Sequence, residues 1–200
     1  MAEPPPPRGA NRPTLALHVP EPPARPGEPA DFSHLHIPPA GAAPRPDEAC
    51  PASETWPLCT DLIRVLDDSG IAHGAWNPRL PPAALIAMLR HMVLVRAFDD
   101  RMYRAQRQGK TSFYLKCSGE EATSIAAAHA LAADDMVFPS YRQQGILIAR
   151  AYPLVAMINQ IYSNGADKLQ GKQLPILYSA REVNMFTISG NLATQVPQAV

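Results

Sequence analysis

The sequence has few cysteines, no long apolar run and no net charge. It has three cysteines, and no two of them have the C-x-x-C spacing. Neither a disulfide framework nor a zinc module is therefore indicated. The longest apolar run, at residues 125–133, includes a histidine and is far shorter than the ~20 residues of a membrane-spanning helix. The 18 basic residues balance 18 acidic ones, so no positive field attracts nucleic acid or an anionic membrane. We therefore expect neither as a partner.

The beginning of the chain does not have the pattern of a targeting segment. The stretch MAEPPPPRGANRP has no apolar core after its charges, and the acidic residues Glu21, Glu28 and Asp31 follow soon after it. We therefore expect a cytoplasmic protein, and the unpaired cysteines agree with a reducing compartment.

Proline is abundant near the beginning of the chain, where 16 of the 23 prolines fall within the first 57 residues. A stretch of this composition does not form a packed core by itself. Two apolar islands, at residues 15–19 and 32–37, alternate in the manner of strands. The pattern predicts an extended proline-rich arm over residues 1–77 and a globular domain over residues 78–200. A short helical turn is expected at residues 61–66.

The clearest predicted helix follows Pro81 and ends near Gln108, before Gly109. Its apolar stripe, which includes Leu85, Met88, Leu89 and Met92, becomes polar midway. Arg96 is spaced three and four residues from Asp99 and Asp100, which favours an ion pair within the helix over a direct role in a site. The next helix is expected after Ser118, which has the capping-box spacing to Glu121 and so explains that carboxylate without catalysis.

A second capping box, Ser140–Gln143, follows a predicted buried strand at residues 136–138 and opens a helix over residues 143–150. A strand, a turn and a helix start together form an arrangement that binds anions. Arg142 could add a bidentate phosphate contact and Tyr141 a hydroxyl donor. The spacing alone favours an ordinary surface arginine and leaves phosphate binding as the alternative.

A further helix is predicted over residues 153–162, and a strand over residues 185–188. This strand is followed by a turn at residues 189–191, and another helix begins near Ala193. In parallel α/β sheets the carboxyl ends of strands hold the ligand, so two such ends indicate a shared crevice.

Six segments carry a resemblance to a known family. They are RAFDDRM (96–102), QRQGK (106–110), SFYLKCSGEEA (112–122), FPSYRQQG (138–145), LPILYSARE (174–182) and TISGNLATQVPQAV (187–200). In order and spacing they resemble the alpha subunits of the thiamine-diphosphate-dependent decarboxylase component of 2-oxo acid dehydrogenase complexes, in particular the bacterial branched-chain members. The resemblance implies an α/β thiamine-diphosphate-binding fold, a parallel sheet with helices on both faces, preceded by the proline-rich arm.

The resemblance also assigns binding residues position by position. Tyr141 and Arg142 match the pair that holds the cofactor diphosphate, and Gly190 and Leu192 match positions that contact the cofactor. Phe113, together with Tyr141, matches the lining of the pocket for the branched side chain of the substrate.

Metal ligands are implied by the same resemblance. A set of four residues matches the potassium site of animal members, and oxygen ligands suit such an ion: Ser189, Asn191, Thr194 and Gln195. The magnesium ligands of the family are expected beyond Val200, as is its proton-handling histidine, so no catalytic residue is assigned here. The 200 residues are accordingly expected to be the front half of a longer subunit.

The implied activity is oxidative decarboxylation of branched-chain 2-oxo acids, in the catabolism of valine, leucine and isoleucine, with acyl transfer to the lipoyl group of a core acyltransferase. The implied assembly contains two alpha and two beta subunits. The same chemistry on pyruvate or acetoin is an alternative, because one or two methylenes are worth only ~1–3 kcal/mol in a pocket. A non-catalytic scaffold with the same fold is the other alternative.

Overall fold

The computed structural model describes Gly27, Pro29, residues 36–59 and residues 61–200. The apolar island predicted at residues 15–19 lies outside the described residues, as does most of the island at residues 32–37. The chain divides into two compact units, Met1–Pro78 and Arg79–Val200, and each unit is described by itself.

Helices account for most of the regular structure in the described residues. The first unit contains α1 (Ala52–Thr55), which continues into a 3-10 turn at Trp56–Cys59. The second unit contains α2 (Pro82–Arg107), α3 (Glu121–Ala130), α4 (Gln144–Ala149), α5 (Leu154–Tyr162), a 3-10 turn at Arg181–Val183 and α6 (Val196–Ala199). Within the described part of the chain, no helix is both long enough and apolar enough to cross a membrane.

The helical turn predicted at residues 61–66 is wrong, because this segment is one side of a short hairpin. Leu66 pairs with Ala72 in an antiparallel bridge. The side chain of Asp67 accepts the backbone N–H groups of Ser69 and Ile71, each at 2.9 Å. An aspartate that binds the backbone two residues ahead favours a turn over a helix, and the chain reverses direction there.

The long helix is confirmed as α2, with proline at its start and Gly109 in the left-handed conformation (φ 71°) just after its end. Its stripe is buried only in the second half, at Val95, Phe98, Asp99, Met102 and Ala105. In the first half, Leu85 and Leu89 remain 51% and 57% exposed. The fully buried positions of α2 therefore begin at Val95, while Met88 and Met92 of the first half are partly buried against the core.

Helices α2, α3 and α4 pack against one another in this core. Gly145 allows α4 to approach α3 closely, because a Cβ added at this position would lie 2.9 Å from Ser124 Cβ on α3. The same added atom would lie 3.5 Å from Ile125 and from Val95. Only glycine therefore allows α4 to lie this close to the other two helices.

The two predicted strands meet, but as isolated bridges. Val137 pairs with Met185 in parallel, its N–H donating to Asn184 O at 2.8 Å and its carbonyl accepting from Phe186 N at 2.9 Å. Met185 also pairs with Ala180 in an antiparallel bridge. No strand longer than a bridge occurs in the residues that the model describes, so the parallel sheet with helices on both faces stays a prediction.

Some helices begin at other residues, or with other capping interactions, than the sequence predicts. The helix predicted over residues 143–150 is α4, and the one over residues 153–162 is α5. The helix expected near Ala193 begins at Val196, because Ala193 has a left-handed backbone with φ 64°. The capping box from Ser118 is wrong: α3 begins at Glu121 without a side-chain cap bond.

Candidate functional site

A cavity of about 300 Å³ lies in the second unit, where four separated segments meet. Its lining is almost entirely apolar and consists of Phe113, Leu115, Tyr141, Leu174, Leu177 and Gly190. Phe113, Tyr141 and Gly190 were all expected to bind substrate or cofactor, although they lie 28 and 49 positions apart in the sequence. The fold therefore brings three of the predicted site residues to one cavity.

Three leucines of the lining were not identified from the sequence. Leu115 follows Phe113 by two positions, and residues at that spacing in an extended segment face the same side. Leu174 and Leu177 are joined by a turn in which Leu177 N donates to Leu174 O at 3.0 Å. The alternation of Phe113 and Leu115 was the available sequence signal, whereas the turn at Leu174 gave none.

The polar edge beside the cavity consists of Tyr141, which lines the cavity, and its neighbour Arg142, which is not part of the lining. The guanidinium carbon of Arg142 lies 5.6 Å from the centroid of the Tyr141 ring, and its Nη1 donates to Glu120 Oε1 at 3.1 Å. Arg142 Nε is buried and has no hydrogen-bond partner among the described residues. A buried N–H donor without a partner is costly unless another group accepts from it, so Nε, the inner nitrogen of a side chain that is 43% exposed, lacks the acceptor that a phosphate would supply.

The start of α4 forms half of the capping box predicted at Ser140. The side chain of Gln143 accepts the backbone N–H of Ser140 at 2.7 Å. The reciprocal bond is missing from the described contacts, and α4 begins one residue later, at Gln144. The tight loop of residues 140–143 therefore holds Tyr141 and Arg142 directly before the helix.

The turn after Ile188 contains the remaining predicted residues. An added Cβ at Gly190 would meet Leu177 Cδ1 at 4.0 Å as its nearest neighbour, so the glycine leaves open space on the cavity side. Leu192 is 75% exposed and is not part of the cavity lining. The structure therefore places Gly190 at the cavity, whereas Leu192, two residues later in the sequence, lies on the protein surface.

The four residues predicted to bind potassium are joined within this turn. Ser189 Oγ accepts from Asn191 N at 3.2 Å, and the Thr194 hydroxyl donates to Asn191 O at 2.9 Å. Gln195 Nε2 donates to Ser189 O at 3.3 Å. Two carbonyl oxygens of the set thus already accept internal hydrogen bonds.

The described residues show no cluster of candidate metal ligands. They contain no group of three or more histidine, cysteine, aspartate or glutamate side chains placed to hold a metal. The carboxylate ligands that magnesium prefers are therefore not gathered in the described part of the chain.

The acidic residues of α2 have partners other than those predicted. Arg96 donates to Glu121 Oε1 at 2.5 Å rather than to Asp99 or Asp100, and Asp100 pairs with Lys116 at 2.5 Å. The ion pair predicted within the helix is wrong, because an oppositely charged side chain from α3 is closer to Arg96 than its neighbours on α2.

Glu121 and Asp100 both remain ionised to low pH. The hydrogen bond from Arg96 lowers the pKa of Glu121, and the hydrogen bond from Lys116 lowers the pKa of Asp100. The Glu121 carboxylate also accepts the backbone N–H of Gly119 at 2.8 Å. Glu121 thus has a structural role, as the sequence predicted, but through Arg96 and not through a capping box.

Asp99 is fully buried, with 0% of its surface exposed. Its carboxylate accepts hydrogen bonds from Tyr114 Oη, Cys117 N and Gln144 Nε2. Burial raises the pKa of the Tyr114 phenol and of the Cys117 thiol, and the negative charge of Asp99 acts in the same direction. Both groups therefore keep their protons at neutral pH, and the Tyr114 hydroxyl can donate to the carboxylate.

Two models of known protein families match separate parts of the chain. The model described as "Dehydrogenase E1 component" matches residues 89–200. A second model, described as "2-oxoisovalerate dehydrogenase E1 alpha subunit N terminal", matches residues 13–53. The cavity and all the predicted site residues fall within the first of these matches.

Curated relatives agree with the family models. The chain is 56% identical over 186 residues to the 2-oxoisovalerate dehydrogenase subunit alpha of Pseudomonas aeruginosa, which covers 93% of this chain and 45% of that protein. It is 41% identical over 140 residues to the mitochondrial subunit alpha of Mus musculus, covering 70% of this chain and 32% of that protein. The chain therefore spans less than half the length of these relatives. The match over residues 89–200 shows that the chain belongs to the dehydrogenase E1 component family.

Proposed function

We propose that this chain is part of the alpha subunit of a branched-chain 2-oxo acid dehydrogenase. In this proposal the enzyme decarboxylates branched-chain 2-oxo acids with thiamine diphosphate and passes the acyl group to the lipoyl group of a core acyltransferase. The observation that carries the proposal is the convergence of Phe113, Tyr141 and Gly190 on one apolar cavity. The dehydrogenase E1 family is thiamine-diphosphate dependent, which supports the cofactor.

The polar edge of the cavity fits the diphosphate end of this cofactor. Arg142 has a buried Nε without a partner among the described residues, and arginine binds phosphate in a charge-assisted manner. Tyr141 adds a hydroxyl beside it. When bound, the cofactor supplies the electron sink for decarboxylation, while Gly190 leaves space for it and Leu192 contacts it.

The apolar wall of the cavity fits a branched alkyl chain. Phe113 and Leu115 lie on one side, and Leu174 and Leu177 contribute the remaining apolar surface. Burying a branched chain there removes apolar area from water at about 25 cal/mol per Å². The smaller methyl group of pyruvate gains less from the same wall, so the lining favours the branched substrate.

Finer features belong to the same proposal. The fold would be an α/β parallel sheet with helices on both faces, with an arm over residues 1–77 and the first part of the cofactor domain over residues 78–200. Potassium would bind at Ser189, Asn191, Thr194 and Gln195, and magnesium through ligands that this sequence does not contain. The partners would be a beta subunit, in an assembly of two alpha and two beta chains, and the core acyltransferase, in the cytoplasm.

Substrate-dependent product formation tests this proposal, measured as carbon dioxide from the two 2-oxo acids and as acetaldehyde from acetoin, which has no carboxyl group. The full-length chain, co-expressed with its beta subunit, is assayed with magnesium and thiamine diphosphate on 2-oxoisovalerate, pyruvate and acetoin in parallel. We expect the highest kcat/KM on the branched acid, and we expect Phe113→Ala to lower that preference. Val155→Ala, at an exposed position of α5 outside the cavity lining, is the matched control and should leave the preference unchanged.

Two outcomes would contradict the proposal in different ways. A preference for pyruvate or acetoin would keep the cofactor chemistry and replace the substrate. No cofactor-dependent product from any of the three, in a fully assembled complex, would favour a non-catalytic scaffold.

A further inference from the structure

One buried carboxylate is bonded to two segments that line the cavity. Asp99, on α2, is not part of the cavity lining, and no cation contacts it among the described residues. Its Oδ1 accepts Tyr114 Oη at 2.7 Å and Gln144 Nε2 at 2.8 Å. Its Oδ2 accepts the backbone N–H of Cys117 at 2.7 Å. An aspartate buried without a cation is costly, and its three donors offset that cost here.

The bond to Gln144 reaches the polar edge of the cavity. Gln144 is the first residue of α4, is 1% exposed, and follows Arg142 by two positions. The next residue, Gly145, packs directly on α3. With its side chain held by Asp99 and its neighbour held by α3, Gln144 fixes the point at which the Tyr141–Arg142 loop enters the helix.

The bond to Tyr114 reaches the apolar wall. Tyr114 is buried and lies between Phe113 and Leu115, which both line the cavity. In an extended segment neighbouring side chains face opposite sides. The Tyr114 hydroxyl therefore holds the inner side of this segment while Phe113 and Leu115 face the cavity. The Cys117 N–H bond fixes the same segment two residues further on.

We propose that Asp99 is a positioning residue that holds the polar edge at Tyr141–Arg142 and the apolar wall at Phe113–Leu115 in one geometry. The inference rests on the proposed function, since it concerns how that site is shaped. Asp99 touches neither substrate nor cofactor in this account. It acts through Gln144 on the cofactor side and through Tyr114 on the substrate side.

The two bonds can be removed one at a time. Gln144→Met removes the link to the polar edge, together with a longer bond from Gln144 Nε2 to Leu115 O at 3.4 Å, and Tyr114→Phe removes the link to the apolar wall without changing the ring. The full-length chain, assembled with its beta subunit, is measured for the Kd of thiamine diphosphate, the KM for 2-oxoisovalerate and Tm. Ile161→Val, a buried change on α5 outside the cavity lining, is the control for a simple loss of stability.

We expect the two variants to affect different constants. Gln144→Met should raise the Kd of thiamine diphosphate about tenfold, the size expected for one lost hydrogen bond to a charged group, and should raise KM less than Tyr114→Phe does, since its longer bond to Leu115 O is also lost. Tyr114→Phe should raise KM several-fold and leave the Kd of thiamine diphosphate nearly unchanged. Its effect on free energy should be roughly half that of losing the Gln144 bond. Asp99→Asn should raise both, and the control should lower Tm alone.

The proposal is overturned if Gln144→Met and Tyr114→Phe lower Tm as the control does, while Kd and KM stay at wild-type values. This result needs only these two variants, so it holds even if Asp99→Asn does not fold. If the wild-type complex binds no thiamine diphosphate and turns over no 2-oxo acid, the proposed function fails and the positioning role fails with it. Wild-type activity together with unchanged variants rejects the positioning role alone.

Discussion

The two polar regions of the candidate site differ in what holds them. The loop at Tyr141–Gln144 is bonded to distant parts of the chain, through Glu120 and Asp99. The turn at Ser189–Gln195 is held, among the contacts of the described residues, by hydrogen bonds between its own members. The first region reaches the core through the buried Gln144, and the second is largely exposed.

This difference indicates two modes of binding within one site. A loop anchored in the core is already ordered, so a ligand that binds it loses little conformational entropy. An exposed turn held by local bonds gains much of its order when something binds to it. We therefore expect cofactor binding to change the Ser189–Gln195 turn more than the Tyr141–Gln144 loop.

The largest expected effect comes from breaking the core under the anchored loop. Ile125 is fully buried on α3 and lies beside Gly145 of α4. Ile125→Ala should lower the free energy of local opening of α3 and α4 by about 3 kcal/mol, through lost burial and the cavity left behind. Hydrogen exchange of the amides in α3 and α4 measures this opening.

The control for this variant is Leu131→Ala, at a 40% exposed position just after α3. We expect a change below about 1 kcal/mol there, because less apolar area is buried. Equal effects of the two variants would show that the Tyr141–Gln144 loop is not anchored by this core.

The ion pair between α2 and α3 should give the second largest effect. The side chain of Glu121 is 4% exposed, whereas that of Arg96 is 56% exposed. Arg96→Met leaves the buried carboxylate without its cation and should reduce the free energy of unfolding by clearly more than the matched control does. Arg101→Met, at an exposed position five residues along α2, should change it by less than about 0.5 kcal/mol.

The same pair has a pH signature with a defined sign. Arg96 lowers the pKa of Glu121 in the folded state, so the unfolded state binds more protons as the pH falls. The stabilisation is complete above the unfolded pKa of about 4.3 and is lost on acidification through the lowered folded pKa. Urea unfolding at pH 3 to 6 should show this loss in the wild type and a much smaller one in Arg96→Met.

A smaller effect is expected from the histidine pair that joins the same two helices. His91 Nδ1 lies 3.2 Å from His129 Nε2. Burial, and then the nearby charge of His129, lowers the pKa of His91. Protonation is therefore easier in the unfolded state, and stability should fall as the pH drops below about 6.5.

His91→Gln tests that expectation by removing the titrating group. We expect the dependence of Tm on pH between 5 and 7 to become weaker in this variant. If wild type and variant have the same slope over this range, the His91 contribution is refuted.

The smallest stability effect is expected in the exposed turn. Leu192→Ala should change the free energy of unfolding by less than about 0.5 kcal/mol, because the side chain is 75% exposed. Its effect should appear in the ligand-bound state instead, as weaker protection of residues 189–195 from hydrogen exchange when thiamine diphosphate is added. A large loss of stability without ligand would remove the contrast between the two regions.

Local signals in the sequence predicted the elements that depend on local chemistry. Helix α2 and its end at Gly109 follow from proline at its start and glycine at its end. The partners of Asp99 were not predictable in this way, because its donors lie 15, 18 and 45 positions away. Spacing within a helix favoured Arg96 as the partner of Asp99, but a side chain from α3 binds Arg96 more closely.

The candidate site shows the same division. The predicted order of strand, turn and helix indicated that the loop before α4 could bind an anion. It did not show whether Arg142 binds phosphate or is an ordinary surface arginine. The family resemblance supplied Phe113 and Gly190, and the fold then placed both at one cavity with Tyr141. The leucines of the wall, such as Leu174, depend on how distant segments meet and had no signal of their own.

The most direct test of the account compares thiamine diphosphate with thiamine, which lacks the diphosphate, in binding to the assembled wild-type enzyme and to Arg142→Gln. Calorimetric titration measures both affinities. Because Arg142 is assigned to the diphosphate, the variant should bind thiamine diphosphate at least about tenfold more weakly and bind thiamine as the wild type does. Equal losses for the two ligands, or no loss for thiamine diphosphate, would contradict the assignment of this edge of the cavity to the cofactor.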